Sequence, residues 1–372
     1  MDQYVHRRAK RAIVLAPYIE REGRLESPHY DLPEYREEIA GWMRAVGLAW
    51  EWRVVTVASL ESELDRAAAL ARDGVTLVFN LCDGTEADGY PGVEVVDGLE
   101  ERAIPYTGAG PQFYRVTTSK AASKSLFVRH GVPTAPYRLL RDACELDAAI
   151  AQIGFPLFIK PDVSAGSYGV QVDSVCYDRA AAAAKIAQVR AGLHGQNFAD
   201  GGVLAEAFIE GREFTVLLVE DERAPRGLRA LPACERVFDA RVPTRERFLA
   251  FERYWELPEE NRPLPPGEPY YWYALAPAGM QGELADLSRR AMRAVGGESY
   301  ARVDIRRDER TGAFHVLEVN AQCGLSSDDS ATVGSMLRLC RQPIAPLIES
   351  IFGHAMNRGR VAAPSFGRQR VG

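Results

Sequence analysis

The sequence is poor in the residues that build redox and metal frameworks. Its 372 residues hold six cysteines and six histidines. Cys82, Cys144, Cys176, Cys234, Cys323 and Cys340 are scattered and contain no C-x-x-C pair. That spacing excludes the usual zinc-binding arrangements and a disulfide framework. Reduced thiols in a cytoplasmic protein are the expectation. No apolar run approaches the ~18 residues of a membrane span, so no membrane partner is expected. The basic opening leads only into the short apolar stretch Ala12 to Ala16. This is too brief for a signal-peptide core and reads as a first buried strand. Positive charge is not in excess either: the net charge of −6 points away from nucleic acid as a partner. Internal repeats are absent. What is present, 47% hydrophobic and 26% charged residues, is the composition of a globular protein. Its length exceeds one ordinary core and implies two or three lobes.

The periodicities predict an α/β and α+β protein. Residues 1–115 alternate strand and helix signals. Ala12 to Ala16 and the β-branched Trp52 to Val57 are strands, and Val75 to Leu81 is a continuous apolar run typical of a buried parallel strand. Helices over Leu32 to Gly47 and Leu60 to Arg72 separate them, giving a doubly wound lobe. A small α+β lobe follows over 116–201, with helices over Ser119 to Gly131, Asp142 to Gly154 and Asp178 to Ala191. Strands are expected at Tyr137 to Leu140, Phe155 to Pro161 and Val170 to Val175. A third, mixed-sheet lobe spans 202–354. Its stretch 239–269, rich in charge, proline and aromatics, reads as a lid loop. A helix over Gly282 to Val295 and a C-terminal helix over Ser330 to Ile351, interrupted at Pro343, complete it. Residues 355–372 read as a tail.

Chemistry concentrates in Ser299-Tyr-Ala-Arg-Val-Asp-Ile and His315-Val-Leu-Glu-Val-Asn-Ala-Gln-Cys-Gly, two strands joined by a tight loop. Side chains alternate between faces of a strand. Arg302, Asp304 and Arg306 therefore share one face, and Glu318 and Asn320 share one face of the next strand, with His315 on the opposite one. Asp304 and Glu318 lie equally far from Thr311, so a hairpin centred there sets them opposite each other. Two carboxylates and an amide oxygen beside an arginine form a hard-oxygen set suited to Mg²⁺. Cys323 lies next to this set without a partnered base, and packing is its expected role.

Upstream, Phe155-Pro-Leu-Phe-Ile-Lys160 precedes Ser164-Ala-Gly-Ser-Tyr-Gly169. A lysine at a strand end beside a glycine-bearing loop suits a phosphate, held by backbone N–H groups and a point charge. Lys120 stands at a helix start, where anions are favoured, and Lys124 reads as a surface residue. Glu206 and Glu213 flank a turn between two strands, so that a hairpin sets both toward one crevice. A nucleoside there would use backbone around Ala207 and Ile209, and its ribose Glu213.

This series, Lys, then Lys with a glycine loop, Glu-x6-Glu, Arg-x-Asp and Glu-x-Asn, resembles the ATP-grasp superfamily. Within it the chain is similar to the D-alanine–D-alanine ligase branch. Val78-Phe-Asn-Leu-Cys-Asp-Gly, Ile104-Pro-Tyr-Thr-Gly and Gly131-Val-Pro-Thr-Ala carry the same likeness. The resemblance implies an ATP- and Mg²⁺-dependent carboxylate–amine ligase, with Mn²⁺ as a substitute metal, working through an acyl phosphate on small amino acids or amines. It implies that Lys120 and Lys160 contact phosphates and that Glu206, Ala207 and Ile209 form the adenine hinge. Glu213 would hold the ribose, Asp304, Glu318 and Asn320 the metal, and Arg302 the transferring phosphoryl group. A homodimer through the first lobe is also consistent with it.

The chain departs from that branch at four places. The first serine of the family's phosphate loop falls on Gly166, and Ser167 matches the second. The family's lid Lys-Tyr pair corresponds to a stretch within Phe248 to Trp255, where Arg253 is the candidate cation. The first strand lacks the glycine-rich loop with its amine-binding glutamate, and Glu20 is the candidate replacement. After Gly324 the chain offers Asp328, Asp329 and Ser330, either to a substrate or as a helix cap. Two aspartates disfavour a free acceptor carboxylate, which points away from D-alanine and from cell-wall synthesis. True D-alanine–D-alanine ligation, phosphotransfer to a hydroxyl on the same scaffold, and an inactive nucleotide binder remain the alternatives.

Overall fold

The largely apolar run at the end of the first expected β-α-β-α-β unit joins a parallel sheet. In the computed structural model, which describes residues 9–27, 30–85, 88–193, 196–198, 201–221, 224, 227–254, 264–265 and 268–358, the sheet order is β4-β1-β5. Its strands are β1 (Arg11–Pro17), β4 (Ala49–Val55) and β5 (Thr76–Asn80). All five residues of β5 are buried. A small exposed hairpin, β2 (Ile19–Arg21) and β3 (Arg24–Glu26), follows β1. Helices α1 (Pro33–Val46) and α2 (Leu60–Ala71) supply the crossovers, and α3 (Val93–Glu101) follows the last strand. Proline opens α1 and Gly47, at φ 72°, ends it in the left-handed conformation.

The chain divides into two units. One comprises Met1–Gly84, Tyr90–Pro111 and Pro343–Gly372, the other Thr85–Gly89 and Gln112–Gln342. The second unit opens with α4 (Pro111–Thr118) and α5 (Lys120–Arg129), the latter capped by the Ser119 hydroxyl, which accepts from the Ala122 N–H. A four-stranded sheet of order β6-β9-β7-β8 follows, made of β6 (Tyr137–Leu140), β7 (Leu157–Pro161), β8 (Val175–Cys176) and β9 (Val203–Ala207). Leu157, Ile159, Val203 and Ala205 pack against Leu146 and Ala149 of α6 (Leu146–Ile153) and Ile186 and Val189 of α7 (Arg179–Ala191). The strand expected over Val170 to Val175 is reduced to β8. Gln171 and Ser174 cap each other's backbone and wind Val172–Ser174 into a 3-10 turn instead.

The chain then leaves this sheet for a second one, ordered β13-β12-β10-β14-β15 with β11 on β10. Its strands are β10 (Gly211–Glu220), β11 (Leu228–Ala230), β12 (Cys234–Phe238), β13 (Tyr271–Leu275), β14 (Tyr300–Asp308) and β15 (Phe314–Asn320). Gly211 stands at the crossing, where an added Cβ would lie 2.0 Å from the Arg307 carbonyl oxygen. Phe214, Val216, Val303, Ile305 and Val316 form the apolar face of this sheet, and α9 (Ala278–Ala294) packs on β10, β14 and β15. The opposite face carries Glu213, Thr215, Arg302, Asp304 and Arg306. Of the expected lid, Thr244–Glu246 is a 3-10 turn and α8 is Phe251–Tyr254, while 255–263, 266 and 267 lie outside the described residues.

At the C-terminus the expected single helix is two: α10 (Thr332–Leu339) and α11 (Ala345–Arg358). The second groups with the first unit, where Phe352 meets Phe79 edge-on at 5.5 Å. The start of the expected tail is therefore helical, with Ala355 and Met356 buried; 359–372 lie outside the described residues. No described helix is long and apolar enough to cross a membrane.

Candidate active site

The hairpin of β14 and β15 places Asp304 opposite Glu318 and Arg302 opposite Asn320. Closer to the turn the register slips: Ile305 faces Val316 and Arg306 faces His315. A bulge between them inserts one residue and reverses the phase of β15. His315 consequently joins the face of Arg306 and Asp304, contrary to simple alternation. The bulge keeps Val316 and Val319 both in the core while the intervening carboxylate stays on the polar face.

Asp304 is nearly fully buried. Its carboxylate accepts from Arg302 Nη2 at 2.9 Å, Thr215 Oγ1 at 2.8 Å and Asn320 Nδ2 at 2.9 Å. Burial alone would raise its pKa, but Arg302, Arg236 and the Thr215 hydroxyl outweigh it and the carboxyl titrates below its ordinary range. Among the described residues no cluster of three His, Cys, Asp or Glu side chains is close enough to hold a metal. The set here is two carboxylates and an amide, all hard-oxygen donors once the Asn320 amide is turned, and such a set fits Mg²⁺.

The Cys323 thiol lies beside this set, and burial pushes its pKa up to about 11. It is a thiol at neutral pH, as a packing role requires.

The lysines gather on the other sheet. Lys160, at the end of β7, pairs with Glu206 Oε1 at 2.6 Å, and Lys124 pairs with Oε2 at 2.8 Å. Lys124 is 0% exposed, so the surface role read from the sequence is wrong. The one available signal was its place one turn after Lys120 on the same helix face. Burial opposes ionisation of Glu206, yet the two ammonium groups hold its pKa at about 2.

Lys120 donates to the Ser164 carbonyl at 2.7 Å and to its hydroxyl at 3.1 Å, and burial lowers its pKa. The buried Asp162 fixes the start of α5 by accepting from Ser119 Oγ and the Ala121 N–H, both at 2.6 Å. Lys120 is within electrostatic reach of Lys160, Glu206 and, from the other sheet, Glu318. In the loop, Gly166 and Ser167 adopt left-handed backbone at φ 56° and 63°.

Glu206 and Glu213 do not share a hairpin: β9 and β10 belong to different sheets. Glu213 lies between two buried arginines, Arg236 from β12 and Arg306 at 3.2 Å from β14. The Arg236 guanidinium also meets the Tyr273 hydroxyl at 2.6 Å. Nothing in the sequence around Arg236 signalled this role.

Beside Ala207 and Ile209, the rings of Phe158 and Phe208 stack at 6.0 Å and Phe248 of the lid stands edge-on to Phe158 at 5.1 Å. Arg306 donates to the Ile209 carbonyl at 2.9 Å. The stretch expected as a lid packs just after the loop expected to hold phosphate: the Val172 N–H donates to Glu252 at 2.7 Å and the Phe251 N–H to the Val170 carbonyl at 2.8 Å. Arg253, the candidate lid cation, is held by Glu246 and by the Tyr270 hydroxyl.

Of the candidate substrate residues, Glu20 is exposed on the small hairpin of the first unit. Asp328 accepts from the Ser330 N–H at 2.7 Å in a local turn, and Asp329 pairs with Arg338 at 3.1 Å. Neither side chain caps α10, whose first flanking residue is Ala331. Gly324 has open space around its Cα.

Comparison with known proteins finds the same fold and related sequences. A family model of the phosphoribosylglycinamide synthetase ATP-grasp (A) domain matches residues 118–241. A D-alanine–D-alanine ligase of Acinetobacter baumannii is 31% identical over 229 residues, 62% of this chain and 65% of the relative, so the match spans somewhat less than two thirds of that protein. The D-alanine–D-alanine ligase of Chromohalobacter salexigens is 29% identical over 262 residues, covering 69% and 70%. Among solved structures, D-alanine–D-alanine ligase from Bacillus anthracis superposes with a TM-score of 0.65 over 95% of this chain and 100% of its own, at 18% identity. The Coxiella burnetii enzyme gives 0.61 over 94% and 96%, at 15% identity. The chain has the ATP-grasp fold of these structures, and its residues 118–241 match the ATP-grasp (A) domain. Over about two thirds of its length it is similar in sequence to D-alanine–D-alanine ligases.

Proposed function

We propose that the protein is an ATP- and Mg²⁺-dependent ligase joining a carboxylate to an amine, with ADP and phosphate released. The observation that carries this reading is that the Lys124–Glu206–Lys160 cluster is tied to β15, the strand of Glu318 and Asn320, through Thr134, which accepts from Lys124 at 2.7 Å and donates to the Val316 carbonyl at 2.7 Å. An ATP complex of the Bacillus anthracis relative is known. In this chain the aromatic cluster of Phe158, Phe208 and Phe248 offers apolar surface for a nucleobase beside Ala207 and Ile209, and Glu213 is the candidate ribose ligand. Lys120 and Lys160 suit the phosphates.

Asp304, Glu318 and Asn320 would hold Mg²⁺, which would supply charge neutralisation for the nucleotide phosphates. Arg302 donates to the phosphoryl oxygens as the substrate carboxylate attacks, and again to the oxyanion when the amine attacks the acyl phosphate. The contribution of the protein is positioning and electrostatics, because buried cations act there without reorganising.

A second reading is D-alanine–D-alanine ligation itself, which the names of the relatives favour. Its sequence-level objection was the charge of Asp328 and Asp329. The pairing of Asp329 with Arg338 and the Asp328 turn weaken that objection. A panel of amino acids and small amines, scored by ADP release and product mass, tests both readings. An amide product supports ligation, and D-alanyl-D-alanine from D-alanine alone selects the second reading. A stable phosphorylated product, or no turnover with any pair, overturns both.

A further inference from the structure

Cys234 and Cys340 are 106 positions apart in sequence, yet both approach the Pro232 carbonyl in the fold. Cys234 opens β12 and is fully buried. Cys340 caps the C-terminal end of α10 and is partly exposed. Both Sγ atoms are directed at one acceptor, the Pro232 carbonyl oxygen, at 3.8 and 3.9 Å. Two sulfurs within 4 Å of one oxygen stand side by side, with a single carbonyl between them. Cys82, Cys144, Cys176 and Cys323 show no such pairing.

We infer that Cys234 and Cys340 form a dithiol modification site that closes to a disulfide by exchange with a low-molecular-weight disulfide. The order of events follows from access. Cys340 is the reachable sulfur and Cys234 is buried, so Cys340 attacks first. That step forms a mixed disulfide at Cys340 and expels one external thiolate. The Cys234 thiol then loses its proton and attacks the Cys340 sulfur, expelling the second external thiol. One external disulfide is reduced to two thiols and the protein loses two hydrogens, so atoms and electrons balance. Closure ties β12, the strand of Arg236, to the far end of α10, the helix that follows Asp328 and Asp329. The inference does not depend on the ligase reading.

The test is incubation of the full-length protein with oxidised glutathione, followed by intact mass and peptide mapping under non-reducing conditions. The wild type is expected to lose two hydrogens and yield one peptide pair, Cys234 with Cys340. Cys234→Ser is expected to stop at the mixed disulfide, gaining one glutathione at Cys340. Cys340→Ser is expected to leave Cys234 at least about tenfold less modified, because a buried thiol reacts slowly. A Cys144→Ser background removes the exposed competitor. The wild-type measurement needs no variant to fold. Glutathione retained at Cys340 in the wild type, an internal disulfide involving another cysteine, or no loss of hydrogens while Cys144 reacts would each overturn the inference.

Discussion

The two ends of the candidate site solve the same problem differently. At the hairpin, Asp304 is neutralised by Arg302 from the same strand, two residues away, with Thr215 and Asn320 from its immediate neighbours. At the lysine end, Glu206 is neutralised by Lys124 and Lys160 from a helix and another strand. Lys124 is in turn held by the Thr134 hydroxyl, which donates to the Val316 carbonyl of β15. The first cluster is local and built by strand alternation. The second is assembled by tertiary structure and ties the two sheets together. A local cluster serves chemistry with little cost to folding when altered, whereas a cluster that spans sheets carries fold and chemistry at once.

The largest expected effect is chemical and falls at the hairpin. Asp304→Asn keeps size and burial but removes a hard anionic ligand. Turnover by coupled ADP release is expected to fall at least about 10²–10³-fold, the scale of losing one preorganised electrostatic group. Thermal unfolding should change far less. Full activity in this variant would break the assignment of Asp304 to the metal set.

The lysine end is expected to show the reverse balance. Lys124→Met removes a cation that is 0% exposed and leaves Glu206 and Thr134 under-partnered. A cost of about 3 kcal/mol in urea unfolding is expected, the scale of breaking a buried ion pair. Arg302→Met, whose side chain retains 19% exposure, should cost clearly less. If Arg302→Met is the more destabilising of the two, the contrast between local and inter-sheet clusters fails.

Legibility divides along the same line. Strand period and turn position make the opposition of Asp304 and Glu318 readable from sequence, because both depend on neighbours along the chain. The bulge that moves His315 was not readable, since it responds to packing of Val316 and Val319 in the core. Lys124 was misread because surface is the default for lysine, and its burial depends on Glu206, 82 positions later. Glu206 and Glu213 looked like one hairpin because a short Gly-containing link usually turns back. Gly211 instead passes closely over β14 and hands the chain to a second sheet.

Acid titration separates the two ends further. The Glu206 pKa is lowered in the folded protein to about 2 from an ordinary 4.5. A lowered carboxyl pKa contributes stability that is fully present above the unfolded value and is lost as pH falls toward the folded value. Wild-type protein should therefore lose urea resistance between about pH 5 and pH 2. Glu206→Gln, less stable at neutral pH, should lose less over that window. Parallel curves for the two proteins would show that the two lysines do not hold Glu206 ionised.

The smallest expected effect on stability falls beyond the hairpin, where the chain departs from its relatives. The Asp329 and Arg338 side chains are 65% and 53% exposed at a separation of 3.1 Å. Such a screened pair is worth about 0–1 kcal/mol, so Asp329→Asn should shift the unfolding midpoint little. Its effect on substrate choice need not be small. If Asp329 faces the acceptor, the asparagine variant should gain relative turnover with amines that carry a free carboxylate and lose it with amines that carry an extra cation. If it only steadies α10, the two ratios should stay together. Because folding is nearly indifferent to this residue, a change in acceptor preference there reports on the substrate and not on the scaffold.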